Sequence, residues 1–182
     1  NQYKMKHPFM VLATQNAIEK EGTYAWPEAQ SYRFLYKINV GYQNVAEEVT
    51  IINNHNNRKG TSVESVIEAD LTEEELILIR AIVQDILVEE KIVKYIAEII
   101  LTTRTHPHLF LGGSPRASIA VLMASKAFAA INGRDFVIPE DVKKSLFPVL
   151  RHRVMLTPER EMEGYTTDKV IEMIIQTIEV PR

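Results

Sequence analysis

The hydrophobic periodicity of this chain changes near residue 60, and that change restricts its fold more than any other feature. Before it, apolar runs short enough for strands alternate with helical stretches; after it, apolar residues recur only at helical spacing. Phe9-Met10-Val11-Leu12-Ala13, bounded by Pro8 and polar residues, reads as a buried strand. Phe34-Leu35-Tyr36-Lys37-Ile38-Asn39-Val40 reads as a second, rich in β-formers. Pro27-Glu28-Ala29-Gln30 opens a short helix, and another runs from about Asn44 to Asn53. Asn53-Asn54-His55-Asn56-Asn57-Arg58-Lys59-Gly60 is a polar breaker, and a linker or long loop extends from it to Ala69.

The rest is helical. Thr72 and Glu75 form a capping box before Leu76, Ile79, Ile82, Val83, Ile86 and Leu87. Ile92, Val93, Ile96, Ala97 and Ile100 mark a second helix. Ser114 caps a third, with Pro115 in its first turn and Gly133 at its end. Pro139 opens a fourth, and Thr166-Thr167-Asp168 opens a last one that runs to about Val180. The fold class is therefore mainly α. The expected division is 1–60, a linker over 61–69, and a helical domain over 70–182.

The chain has 182 residues, 46% of them hydrophobic, which is enough for a packed core. It has no Cys, which rules out disulfides, zinc–thiolate sites and thiol nucleophiles within it and is compatible with a cytoplasmic protein. No apolar run reaches the roughly 18 residues that span a bilayer. Asn1-Gln2-Tyr3-Lys4 lacks the apolar core of a signal peptide, and the absence of an initial Met fits a piece of a longer protein. A net charge of −3 does not advertise nucleic-acid binding. Charge is uneven: residues 61–103 carry three basic and ten acidic side chains, and residues 104–160 nine basic and four acidic. The basic half can face phosphate or simply be solvated helix.

Three residues have a chemical argument. Asn16 stands just past the carboxyl end of the first apolar run, where ligands of open α/β sheets bind. A neutral amide there can position an attacking water, or it can make an ordinary strand-end turn. Arg33 follows a short helix. A guanidinium projected from a subunit surface can stabilise a transferring phosphoryl group next door, or form a salt bridge of small value. Arg116 lies in the first turn of a helix capped by Ser114, and that terminus carries free amides and partial positive charge suited to an anion. His106-Pro107-His108 lacks the further ligands of a metal site, so no metal ligand is assigned. Met123, Met155, Met162 and Met173 read as core filler, and Glu140 and Asp141 as dipole-favoured helix-start residues. Arg151-His152-Arg153 forms a basic patch suited to pairing with acidic helices.

Ala13-Thr14-Gln15-Asn16, Pro27-Glu28-Ala29-Gln30, Tyr32-Arg33-Phe34 and Gly112-Gly113-Ser114-Pro115-Arg116-Ala117 stand in an order that resembles the back half of a MoxR-family AAA+ ATPase. The resemblance covers about residues 8–182. It implies the remnant of an α/β P-loop core followed by an all-helical lid. It also implies Asn16 as the sensor-one residue, Arg33 as an arginine finger acting in trans, and Arg116 with Ser114 as the sensor-two phosphate contact. Three departures are visible: Ala17 where the family usually has Pro, Ala25-Trp26 in place of a more usual Pro-Leu, and Tyr32 where it usually has Asp. No G-x-x-x-x-G-K-[ST] occurs, so the resemblance implies that ATP and Mg²⁺ are held mainly outside this stretch. None is expected to bind tightly to these residues alone. A homo-oligomeric ring, usually a hexamer, and partners with von Willebrand factor A-type domains are the implied assemblies, with chaperone-like remodelling as the implied work. Two other readings stay open: a non-catalytic helical interaction module, and a nucleic-acid motor of the related helicase branch.

Overall fold

The computed structural model describes residues 8–15, 28–58 and 71–181. It is mostly helical. The helices are α1 (Glu28–Ser31), α2 (Val45–Arg58), α3 (Glu73–Asp85), α4 (Glu90–Thr105), α5 (Pro115–Ile131), α6 (Pro139–Leu150), α7 (Pro158–Met162) and α8 (Thr167–Thr177). A small antiparallel pair, β1 (Leu109–Leu111) and β2 (Met155–Leu156), ties the loop after α4 to the chain leading into α7. The helical part is thus not purely α. The pair's three and two residues are too short to leave a period in the sequence.

The core is built by α4, α5, α6 and α8. Tyr95, Ile96, Ile99 and Ile100 of α4 meet Val121 and Ala124 of α5, Val142, Leu146 and Val149 of α6, and Val170, Ile171 and Ile174 of α8. Small side chains let α5 and α6 approach closely: Ala117, Ala120, Ala124 and Ala129 are buried, and Ser125 Oγ lies 3.1 Å from Ser145 Oγ. Both hydroxyls reach helical carbonyls, Ser125 to Val121 and Ser145 to Val142, so neither buried oxygen is orphaned.

Local chemistry sets the ends. Thr72 and Glu75 make the expected reciprocal box. Asn44 and Glu47 make an equivalent one before α2, the amide of Asn44 donating to Glu47 Oε2 and the amide of Glu47 to Asn44 Oδ1. Thr166 caps α8 through the Lys169 amide. Gly133 ends α5 at φ +70°, a left-handed conformation that costs other residues a steric penalty. Asp141 accepts the Ile138 amide at the start of α6, and Arg134 clamps the same carboxylate with two 2.7 Å bonds.

Several sequence expectations change. Residues 9–13 and 34–40 form no strand; among the described residues neither has a strand beside it to complete a ladder. The asparagine-rich breaker is helical through Arg58, because Asn lowers helix propensity only modestly and the box at Asn44 has already nucleated α2. The linker read over 61–69 lies outside the described residues. α3 forms, but Leu76, Ile79 and Ile82 are exposed. The methionines are not core filler either: Met162 is 83% exposed, Met123 is exposed, and Met155 and Met173 are only partly covered. Among the described residues, no helix is long and apolar enough to cross a membrane.

Candidate functional site

Arg116 is placed by a rigid turn. Gly112 and Gly113 pass directly against the end of α4. A Cβ on Gly112 would come within 2.6 Å of the Thr103 and Arg104 backbone. The Gly113 amide donates to Thr103 Oγ1 at 2.8 Å, and Arg104 Nε donates to the Gly113 carbonyl at 2.7 Å. The double glycine therefore fixes the entry to α5 by close approach rather than by flexibility. Ser114 takes the N-cap position with extended backbone, but its side chain makes no capping bond, and both Ser114 and Arg116 are exposed.

Arg33 is placed by a latch. Its neighbour Phe34 offers a carbonyl that accepts from Arg153 Nη2 at 2.8 Å and from His152 Nε2 at 3.0 Å. The Lys37 amide donates to the Pro148 carbonyl at 2.8 Å, using one of the carbonyls left unpaired at the end of α6. Arg151 Nη1 donates to the Lys37 carbonyl, while Arg151 Nε and Nη2 grip both oxygens of Asp168 on α8 at 3.1 and 2.9 Å. The Arg-His-Arg stretch that the sequence marked as a basic patch thus holds residues 34–37 on the helical body.

The latch and the turn bring Arg33 and Arg116 onto one open cleft of about 200 Å³, lined also by Leu35, Ile119, Ala120, Met123 and Arg153. Three arginines therefore lie around an apolar floor, and positive charge gathered in this way attracts anions. No carboxylate lines it, and none of the three arginines has a salt bridge among the described residues. Burial, and secondarily the charge of Arg116, hold Arg153 below the usual guanidinium value. His152 is held below the usual imidazole value by burial, against the pull of the Phe34 carbonyl and with help from Arg153, Lys37 and Arg151. It therefore donates to Phe34 as a neutral ring.

Asn16 lies outside the described residues. Sequence reasoning missed Arg153 as a wall of the cleft; its only signal was a basic residue just after a helix that runs beside α5. His106 and His108 form a loop joint instead of a ligand pair. The His108 amide donates to His106 Nδ1, and Arg160 Nε donates to His108 Nδ1. Among the described residues no cluster of three or more His, Asp or Glu could hold a metal.

Arg33, near the start of the described chain, and Arg116, at the start of α5, thus line one cleft on a mostly helical body. The AAA lid domain model matches residues 101–174, and the model of the ATPase family associated with various cellular activities matches residues 1–36. The chain is 36% identical to chaperone MoxR1 of Mycobacterium tuberculosis, over 99% of its own length and 49% of that protein. It is 39% identical to the uncharacterized protein YeaC of Bacillus subtilis, over 98% of its own length and 55% of that protein. A solved structure from Cytophaga hutchinsonii, described as a candidate ATPase, superposes with a TM-score of 0.88 at 32% identity, covering 99% of this chain and 56% of that one. The chain belongs to the MoxR family of AAA+ ATPases, and it spans about half the length of the curated relatives it matches.

Proposed function

We propose that this chain is the C-terminal portion of an AAA+ ATP hydrolase. It would couple ATP binding and hydrolysis to chaperone-like remodelling of partner proteins. The observation that carries this reading is the shared cleft: Arg33 and Arg116 line one pocket that has no carboxylate among its described residues, the environment a phosphoryl group needs. Residues 1–60 would be the end of the nucleotide-binding core, 61–69 a linker and 70–182 the lid. Cytoplasmic location, a hexameric ring and partners with von Willebrand factor A-type domains follow from the same family resemblance.

When bound, ATP with Mg²⁺ supplies the phosphoryl group and its leaving group. Arg33 and Arg116 would hold the terminal phosphoryl oxygens, and Asn16 would orient water on the sheet side. Among the described residues no carboxylate lines the cleft, so Mg²⁺ would be held by residues other than these. Because Arg33 and Arg116 share one cleft, an Arg33 that reaches across a subunit interface takes Arg116 with it, and both would serve the neighbour's phosphate. A positioned arginine of this kind is worth about 10³–10⁵ in turnover.

Arg33→Ala in the full-length protein should reduce turnover strongly while ATP affinity changes little. Mixing it with a phosphate-loop variant should restore activity, since each intact interface needs one residue from each subunit. A mixture without activity removes the trans assignment, and equal loss of affinity and turnover removes the finger. The exposed apolar faces of α2 and α3 favour a second reading, a helical interaction module without catalysis. In that case the full-length protein hydrolyses no ATP and none of these variants has a turnover to change.

A further inference from the structure

The carbonyl of Phe34, one residue past Arg33, accepts two side-chain donors, Arg153 Nη2 at 2.8 Å and His152 Nε2 at 3.0 Å. A backbone oxygen has two lone pairs, and both are used here. A single bond would leave the peptide free to swing about it, whereas two donors fix its plane. The chain is held on the other side of this peptide as well. The Arg33 amide donates to the Gln30 carbonyl and the Phe34 amide to the Ser31 carbonyl, each at 3.1 Å. The backbone that carries Arg33 is thus pinned before and after it, while the side chain lines the open cleft.

Stability alone does not account for Arg153. It is 5% exposed, and among the described residues Nε and Nη1 have no partner. A buried cation with unmet donors opposes folding, and the nearby charge of Arg116 adds repulsion. The neutral ring of His152 already satisfies the Phe34 carbonyl, so that oxygen would not be orphaned without Arg153. What the guanidinium adds is a second, charge-assisted bond to the same oxygen, from a different direction. A charged group that opposes folding at the wall of a cleft fits a role in the site, where activity and stability pull apart.

We propose that Arg153 is a positioning residue for Arg33: with His152 it locks the peptide between Phe34 and Leu35, so that the Arg33 guanidinium meets the cleft in one orientation. The proposal rests on the reading of Arg33 as a phosphoryl-stabilising arginine given above. Arg153 touches no substrate in this role and acts through the backbone. A misplacement of about 1 Å in such a group costs about 10²-fold in turnover.

The test uses the full-length protein. Arg153→Met, an apolar side chain of similar length, removes the donor. It should melt at or above the wild type and keep its ATP affinity, yet lose about 10²-fold in kcat. Amides of residues 33–37 should exchange with solvent faster than in the wild type, while those of α5 and α6 stay as they were. Arg153→Lys, which keeps a charged donor, should recover part of both losses. Turnover loss without faster exchange would mean that Arg153 does not act through the backbone. Faster exchange with wild-type turnover would mean that Arg33 does not depend on the lock. Either result overturns the proposal, as does a Met variant that loses melting temperature, ATP affinity and turnover together, which would make Arg153 a structural tie. Should the Met variant fail to fold, Arg153→Gln, polar but shorter, takes its place under the same outcomes.

Arg33→Ala, measured alongside, separates this proposal from the reading it rests on. If Arg33→Ala keeps full turnover, or the wild type has none, the finger falls and the role of Arg153 falls with it. If Arg33→Ala loses turnover while Arg153→Met keeps it, only the positioning role is removed.

Discussion

Asp141 shows how one side chain can close several accounts at once. Its carboxylate side chain is 1% exposed, yet it accepts two bonds from Arg134 and one from the Ile138 amide. Burial alone would raise its pKa; the Arg134 and Ile138 hydrogen bonds outweigh that and hold it below the ordinary 3.8. Asp141→Ala removes the cap of α6 and leaves Arg134 without its partner, at a cost of about 2–3 kcal/mol, which chemical denaturation would measure. A loss within a few tenths of a kcal/mol would mean that Arg134 finds water just as readily. The histidines add a pH effect of the same sign. His106 and His152 both have depressed folded values, each by burial first, against an ordinary 6.5. Below about that pH the unfolded chain takes up protons that the folded chain refuses, so stability falls as pH drops from 6.5; the Asp141 contribution is lost only below 3.8. His152→Gln keeps a donor for Phe34 and should flatten part of the first slope. A melting-temperature profile with the same slope in both proteins would rule out His152 as a contributor.

At the scale of elements, the decisive contact is the glycine turn between β1 and α5. Gly112→Ala would drive a Cβ to 2.6 Å from backbone that cannot move without unwinding the last turn of α4. Overpacking of this kind costs about 1–3 kcal/mol. It should also displace Arg116, so the variant should lose phosphate affinity along with stability. A Gly112→Ala protein with wild-type melting temperature would show that the turn yields. Capped helices were the legible part of the sequence: Thr72 with Glu75, Ser114-Pro115, Gly133, Pro139 and Thr166 each mark an end where the chain has one. Such signals are local, and a few adjacent residues decide them. The strands at 9–13 and 34–40 were illegible for the opposite reason. Ladder formation depends on a neighbour that these residues do not specify, and Lys37 instead spends its amide on Pro148. The site was half legible. The Ser-Pro-Arg helix start is visible in the sequence, but nothing in the spacing of Arg33, Arg116 and Arg153 says that they line one cleft, because the latch that joins them spans more than a hundred residues of chain.

Over the whole molecule, buried apolar contact is concentrated in α4, α5, α6 and α8. By contrast, α2 and α3 bury no residue fully, although α3 touches α5 and Lys126 Nζ reaches the Gln84 carbonyl from there. Leu76, Ile77, Leu78, Ile79 and Ile82 of α3, and Val45, Val49, Ile51 and Ile52 of α2, all face solvent. Helical hydrogen bonds without tertiary cover are worth little, since most helix stability in proteins comes from packing an apolar face. Each of these helices has a capping box at its start, but a cap contributes only about 1 kcal/mol and does not replace a core. The structure is therefore expected to open in stages, with α2 and α3 lost at low free energy while the four-helix core persists. Native-state hydrogen exchange on the chain should show amides of α2 and α3 exchanging orders of magnitude faster than those of α5 and α6, at rates independent of protein concentration. Protection of α3 equal to that of α5 would contradict this. Protection that grows with concentration would show instead that association covers the apolar face, and the position of α3 beside α5 would then make the lid itself part of that interface.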